Sequence, residues 1–156
     1  MNVFIKREYD YAVRTCAYLA GIYPDQFIAI KDLSLKIHVP KPTLNKIIHY
    51  LKKAGIVQTV QGKMGGVHLL MDPNQLSILQ ILEAMGFDST LNDCVHHPEI
   101  CPLVNICKIH EFFVEQEMKF LQLLREKKIT EFIFQDKDLH FSDSVSRSLR
   151  LSKEEE

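Results

Sequence analysis

The chain has 156 residues, 46% of them hydrophobic, a net charge of −1 and four cysteines, which is enough apolar material for a compact core without disulfide support. The opening MNVFIKREYD carries charges within its ten residues and no apolar run, so that stretch is excluded as a signal sequence or membrane anchor and the expected location is cytoplasmic, with no membrane partner. The small total hides a division: residues 1–72 hold ten Lys and Arg against five Asp and Glu, a balance of +5 that leaves −6 for the remainder, as for a nucleic-acid-binding module joined to a regulatory or assembly module.

In chain order, Tyr11, Ala12, Cys16, Leu19 and Ala20 recur at helical spacing and predict a first helix over Tyr9 to Ile22, closed by Pro24. A second short helix fits Ile30 to Ile37, with Ile30, Leu33 and Ile37 inward, and His38-Val39-Pro40 makes a tight turn. The third helix opens with Lys41-Pro42 and stops at Gly55. Its inward face is Leu44, Ile47, Ile48 and Leu51, and its other face presents Lys41, Thr43, Asn45, Lys46, His49, Lys52 and Lys53, cations and hydrogen-bonding groups suited to phosphates and base edges. Val57–Val60 and Val67–Leu70 predict two strands around the loop Gly62-Lys63-Met64-Gly65-Gly66, whose glycines permit positive φ. A hairpin directly after such a helix is a wing, so residues 1–72 are expected to be a winged helix-turn-helix.

Residues 73–134 are expected to hold a linker helix, a ligand loop and a dimerisation helix. Ser77-Ile78-Leu79-Gln80 is a capping box for a helix running to about Met85 and stopped by Gly86. Residues 87–102 look like loop, and Val104 to about Lys127 predicts a long helix whose stripe of Ile106, Ile109, Phe113, Phe120 and Leu124 calls for a second copy to cover it. Residues 135–156 are polar and charged and are expected to form a flexible tail. The fold class is therefore mainly α with a small β-wing, a winged helix-turn-helix plus a long dimerisation helix. No glycine-rich phosphate loop follows a strand and no Ser-His-Asp or metal-protease motif occurs, so no enzymatic activity is expected.

Cys94, Cys101 and Cys107 share one short window, with His96, His97 and His110 alongside. Thiolates favour iron-sulfur clusters and zinc, and a loop with Pro98 and Pro102 can wrap three sulfurs around one centre. Cys107 is expected on the first turn of the long helix, where the dipole favours its thiolate. Zinc competes, because Cys plus His makes a tetrahedral set, but structural zinc sites usually pair ligands closely as Cys-x2-4-Cys, whereas gaps of six and five residues suit the wider span of a cluster. A thiol-redox sensor is a third reading. Cys16, at a core position, reads as a small hydrophobe.

Three segments carry a family resemblance over roughly residues 6–134: Asp10-Tyr11-Ala12-Val13-Arg14, Leu51-Lys52-Lys53-Ala54-Gly55-Ile56-Val57 leading into Gly62-Lys63-Met64-Gly65-Gly66, and Cys94…Cys101-Pro102-Leu103-Val104…Cys107. Together they resemble the winged-helix iron-sulfur regulators that include IscR, NsrR and RirA. The resemblance implies a transcriptional repressor acting as a homodimer on palindromic double-stranded operator DNA, with paired recognition helices and with wings, carrying Gln61 and Lys63, that reach the minor groove. It implies a cluster on Cys94, Cys101 and Cys107 whose fourth ligand is Asp10 of the other subunit or His110. The likeness of Asp10–Arg14 to the NsrR segment favours Asp10, a 4Fe-4S over a 2Fe-2S cluster, and nitric oxide as signal, with iron or cluster status as the alternatives. Two departures stand out: Gln61 occupies a place where the family commonly has arginine, and the first cysteine gap is one residue longer than in IscR.

Overall fold

The computed structural model describes residues 5–62 and 65–139. Helix α1 (Arg7–Gly21) buries Ala12, Cys16, Leu19 and Ala20 on one face, and the buried Thr15 hydroxyl donates to the Tyr11 carbonyl one turn back at 2.7 Å. Helix α2 (Ile30–Lys36) and helix α3 (Lys41–Lys53) are joined by a turn in which His38 takes φ +52° and Ser34 Oγ donates to the Val39 carbonyl. Leu33, Ile37 and Val39 meet Leu44, Ile47, Ile48 and Leu51 in the core shared with α1, so the apolar side of α3 is used up and its polar side faces outward. Leu51→Ala is expected to cost about 2–5 kcal/mol, the lost burial plus an incompletely collapsed cavity. Urea unfolding should show a lower midpoint at unchanged slope; a midpoint equal to that of the parent chain would contradict the packing.

Gly55, at φ +72°, reverses the chain after α3, a conformation costly for any residue with a Cβ. Strand β1 (Val57–Val60) then runs antiparallel to β2 (Gly66–Leu69), with Val57 opposite Leu69 and Val60 opposite Gly66. Ile28 extends this wing by a two-bond bridge to Val67. That bridge is why residue 66 is glycine, since a Cβ there would stand 2.4 Å from the Ile28 carbonyl oxygen. Strand β2 therefore starts one residue before the predicted Val67, and Gly66 serves close approach rather than the expected positive φ, which Gly62 adopts at +113°. Lys63 and Met64 lie outside the described residues.

Helix α4 (Ile78–Ala84) begins at the predicted capping box: Ser77 Oγ accepts the Gln80 N–H at 3.2 Å, and Gln80 Oε1 accepts the Ser77 N–H at 2.8 Å. The stretch expected to be loop contains a one-turn helix, α5 (Asp93–His96), because Asn92 Oδ1 accepts the Cys94 N–H and caps it, followed by a 3-10 turn at Pro98–Ile100. Helix α6 spans Lys108–Glu126, starting later than the predicted Val104. Val104–Ile106 is a separate 3-10 turn, and Cys107 has an extended backbone (ψ 108°) that breaks the helical ladder. Cys107 is thus the N-cap of α6, not part of its first turn.

The expected stripe of α6 divides in two. Phe120 lies near the Phe87 ring and Leu124 packs on the chain's own core, whereas Ile106 and Ile109 are 76% and 66% exposed, with Phe112 and Leu123 open as well. The apolar band is wider than one seam, and part of it is covered by α4 and its neighbours in the same chain. The chain then returns to the head. Ile78 N–H donates to the Lys127 carbonyl and Ile129 N–H to the Leu76 carbonyl, both at 2.9 Å, with Ile129 fully buried.

Residues 135–139, expected within the flexible tail, are fastened to the head. Gln135 donates to the Gly21 carbonyl, and Asp136 accepts from the Tyr18 hydroxyl and from Lys36. Residues 140–156, the rest of that expected tail, lie outside the described residues. The Lys36 ammonium and the Tyr18 hydroxyl hold the Asp136 carboxyl below the usual carboxylate range. Because the folded value is the lowered one, the contact is fully present above that range and is lost as pH falls through the lowered value. Hydrogen-exchange protection of 133–139 is expected to drop below about pH 4, and Asp136→Asn should remove that acid step; a step that persists in the variant would assign it to another group.

Candidate nucleic-acid interface and cysteine arm

Along helix α3, Lys41, Asn45, Lys46, His49 and Lys52 are exposed and Thr43 is half-buried. Two of these cations have partners. Lys46 Nζ donates to Glu8 at the start of α1 at 2.9 Å, a bond that raises the lysine's pKa, and Lys52 Nζ donates to the Thr59 hydroxyl of β1 at 2.9 Å. Lys52 thereby ties the helix to the wing. Gln61 is exposed at the wing's tip. The surface offers cations, an amide, a hydroxyl and an imidazole over one helix and an adjoining hairpin, the donor set that fixes phosphates and reads base edges. Glu8 was not visible as part of it from sequence, because its partner lies 38 residues away.

The three cysteines of the 94–107 arm are all half-buried and free, and Cys16 is fully buried, its thiol pKa pushed up by burial. Cys94 sits in α5. Cys101 follows the 3-10 turn at Pro98–Ile100, its N–H donating to the Pro98 carbonyl. Cys107 caps α6, its Sγ accepting the His110 N–H at 3.4 Å. His110 Nδ1 is buried without a hydrogen-bond partner, whereas Asp10 is held by Arg14 at 2.7 Å in an i,i+4 pair. The same guanidinium donates to the Ile37 carbonyl at the end of α2. Among the described residues no three His, Cys, Asp or Glu side chains lie close enough to hold one metal ion.

Sequence reading missed one further group. Glu117, in the inward face of α6, is 4% exposed and accepts from His96 Nε2 at 2.6 Å, from the Leu91 N–H at 3.0 Å and from Ser89 Oγ at 3.4 Å. An acid spaced four residues from Phe113 and three from Phe120 was the available signal, since a carboxylate on an apolar face requires donors.

Helix α2, the turn, helix α3 and the β1–β2 wing form a winged helix-turn-helix, the architecture of a DNA-binding transcriptional regulator. The chain belongs to the Rrf2 family, described as iron-dependent transcriptional regulators, whose model matches residues 5–135. It is similar to the HTH-type transcriptional regulator NsrR of Bacillus subtilis (strain 168), 24% identical over 131 residues that cover 83% of this chain and 90% of that protein. It is also similar to NsrR of Geobacillus kaustophilus (strain HTA426), 26% identical over 116 residues, covering 74% and 79%. Solved structures show the same fold: T. potens IscR superposes with a TM-score of 0.61 at 18% identity, covering 80% of this chain and 82% of that one. CymR (YrzC), the global cysteine regulator of B. subtilis, superposes with a TM-score of 0.65 at 14% identity, covering 83% and 94%. No helix among the described residues is long and apolar enough to cross a membrane.

Proposed function

We propose that this Rrf2-family regulator is a cytoplasmic, iron-sulfur-dependent repressor that binds palindromic operator DNA as a homodimer and responds to nitric oxide, iron or cluster status. The observation that carries the reading is the pairing, in one chain, of an outward cationic α3 with an arm of three free, half-buried thiols packed on α6. The donor chemistry fits: Cys94, Cys101 and Cys107 supply three soft sulfur donors, Cys107 as the N-cap of α6, and His110 Nδ1 has no competing partner. Asp10 of a second copy, favoured by the likeness to NsrR, or His110 completes the set. When bound, a 4Fe-4S or 2Fe-2S cluster supplies a centre that nitric oxide or iron shortage can dismantle. The chain's own part is to draw the three sulfurs together, which orders the arm against α6.

A second copy covers the exposed Ile109, Phe112 and Leu123 of α6 and sets the two α3 helices on successive turns of one face of the duplex. Lys41, Lys46 and Lys52, with Lys63 of the wing, bind phosphates; Thr43, Asn45 and His49 read bases; Gln61 approaches the minor groove. The second reading is a zinc-stabilised or thiol-redox regulator, and what favours it is that His110, with an unpartnered Nδ1, follows the free Cys107 by three residues, since Cys plus His also makes a zinc set. Anaerobic purification followed by an absorption spectrum and by iron, sulfide and zinc assays on one sample separates the two. Absorption near 400 nm with iron and sulfide in comparable amounts is the expected outcome. A colourless protein with one zinc per chain after reconstitution would overturn it.

A further inference from the structure

Helix α6 carries a fully internal carboxylate that neither the DNA-binding surface nor the thiol set uses. A carboxyl group out of water needs hydrogen-bond partners to replace the lost hydration. Glu117 has three, and all come from residues 89–96: the Ser89 hydroxyl, the Leu91 amide and the His96 ring. That stretch includes α5, where Asn92 caps the turn through the Cys94 N–H and His96 is the last residue. Cys94 is therefore enclosed between two fixed points, Leu91 and His96, both fastened to one side chain of a 19-residue helix. Cys107 is fastened to the same helix, as its N-cap. By contrast, the N–H of Cys101 reaches only the carbonyl of the adjoining 3-10 turn.

We propose that Glu117 is a positioning residue: its buried carboxylate clamps the Cys94 turn onto α6, so that Cys94 and Cys107 keep a fixed relation before any metal is present. Closing the arm then consists mainly of bringing Cys101 to the other two. The clamp stands on the geometry alone, and only its consequence for metal retention rests on the cluster reading. Replacing the carboxylate with an amide tests the geometry with little change of volume. In Glu117→Gln the amide oxygen can still accept from the Leu91 N–H, but the NH2 group then facing His96 and Ser89 only donates, so both lose their charge-assisted bond to a carboxylate and must turn from donor to acceptor to keep any contact.

The test is alkylation of metal-free full-length protein with iodoacetamide, each cysteine followed by peptide mass spectrometry. Glu117→Gln is expected to raise the Cys94 rate at least tenfold, with Cys101 and Cys107 unchanged and the buried Cys16 silent, as an internal report that the head stays folded. His96→Asn, which keeps the carboxylate and two of its donors, should move the same cysteine by less and guards against a Glu117 variant that fails to fold. An unchanged Cys94 rate in both variants overturns the clamp. Faster labelling of all four cysteines, Cys16 included, also overturns it, because Glu117 would then serve global stability only. In reconstituted protein the variant should lose iron to a chelator about tenfold faster, as when other groups supporting metal ligands are altered. A parent chain that takes up no iron sinks the cluster reading and leaves the labelling result standing.

Discussion

Cys107→Ser is expected to abolish iron retention while leaving α6 intact. The substitution separates two roles that the native residue combines, because Cys107 is both the N-cap of α6 and the third thiol of the arm. Serine is among the strongest N-cap residues, and its hydroxyl can accept the His110 N–H in place of the sulfur, so helix content should not fall. What serine lacks is the soft sulfur donor that iron-sulfur clusters require. Iron and sulfide per chain should drop to background, with an unchanged far-ultraviolet circular dichroism spectrum. If the metal centre controls DNA binding, parent protein with and without it should differ in operator affinity by about 1–3 kcal/mol, and the serine variant should show one affinity under both conditions. Parent-level iron in Cys107→Ser would remove this residue from the ligand set.

The head was legible in the sequence because each of its elements is specified locally. The spacing of Leu44, Ile47, Ile48 and Leu51 gives α3 a single possible inward face, and Gly55 and the Ser77–Gln80 box punctuate the chain by backbone chemistry that needs no distant partner. The misreadings arise where distant contacts decide. Gly66 looks like a turn glycine until Ile28, far back in the chain, comes within reach of its missing Cβ. The stripe of α6 looked like one seam for a second copy, but Phe120 and Leu124 are taken by the chain's own Phe87 and core, leaving Ile109, Phe112 and Leu123 as the open side. Residues 135–139 read as tail because their side chains are polar, yet those polar groups are what Tyr18, Lys36 and Gly21 bind. In the arm the three thiols were plain from composition, and the Glu117 hub that orders one of them was not, since its donors are specified 21 to 28 residues earlier.

The same distinction between local and distant contacts separates the lysines of α3 by experiment. Lys52 donates to an uncharged hydroxyl, whereas Lys46 is already matched by Glu8 and must exchange a carboxylate for a phosphate to contribute to DNA binding. Both ion-pair partners are well exposed, so the exchange costs little and is screened by salt. In a dimer each substitution removes two phosphate contacts, so Lys52→Ala should flatten the slope of log affinity against log salt by about 2. Lys46→Ala should flatten it by less, because part of the contact is offset by leaving Glu8. Glu8→Gln should act in the opposite sense, raising operator affinity and steepening the slope, and in its presence Lys46→Ala should recover the full effect of Lys52→Ala. Asn45→Ala and Thr43→Ala should leave the slope unchanged and relax discrimination at one base pair per half-site by about 1–3 kcal/mol. Fluorescence anisotropy with the operator and single-base variants across a salt series measures all of these together. Equal slopes for parent, Lys46→Ala and Lys52→Ala, with unaltered base preference in the other two, would show that α3 does not face the duplex.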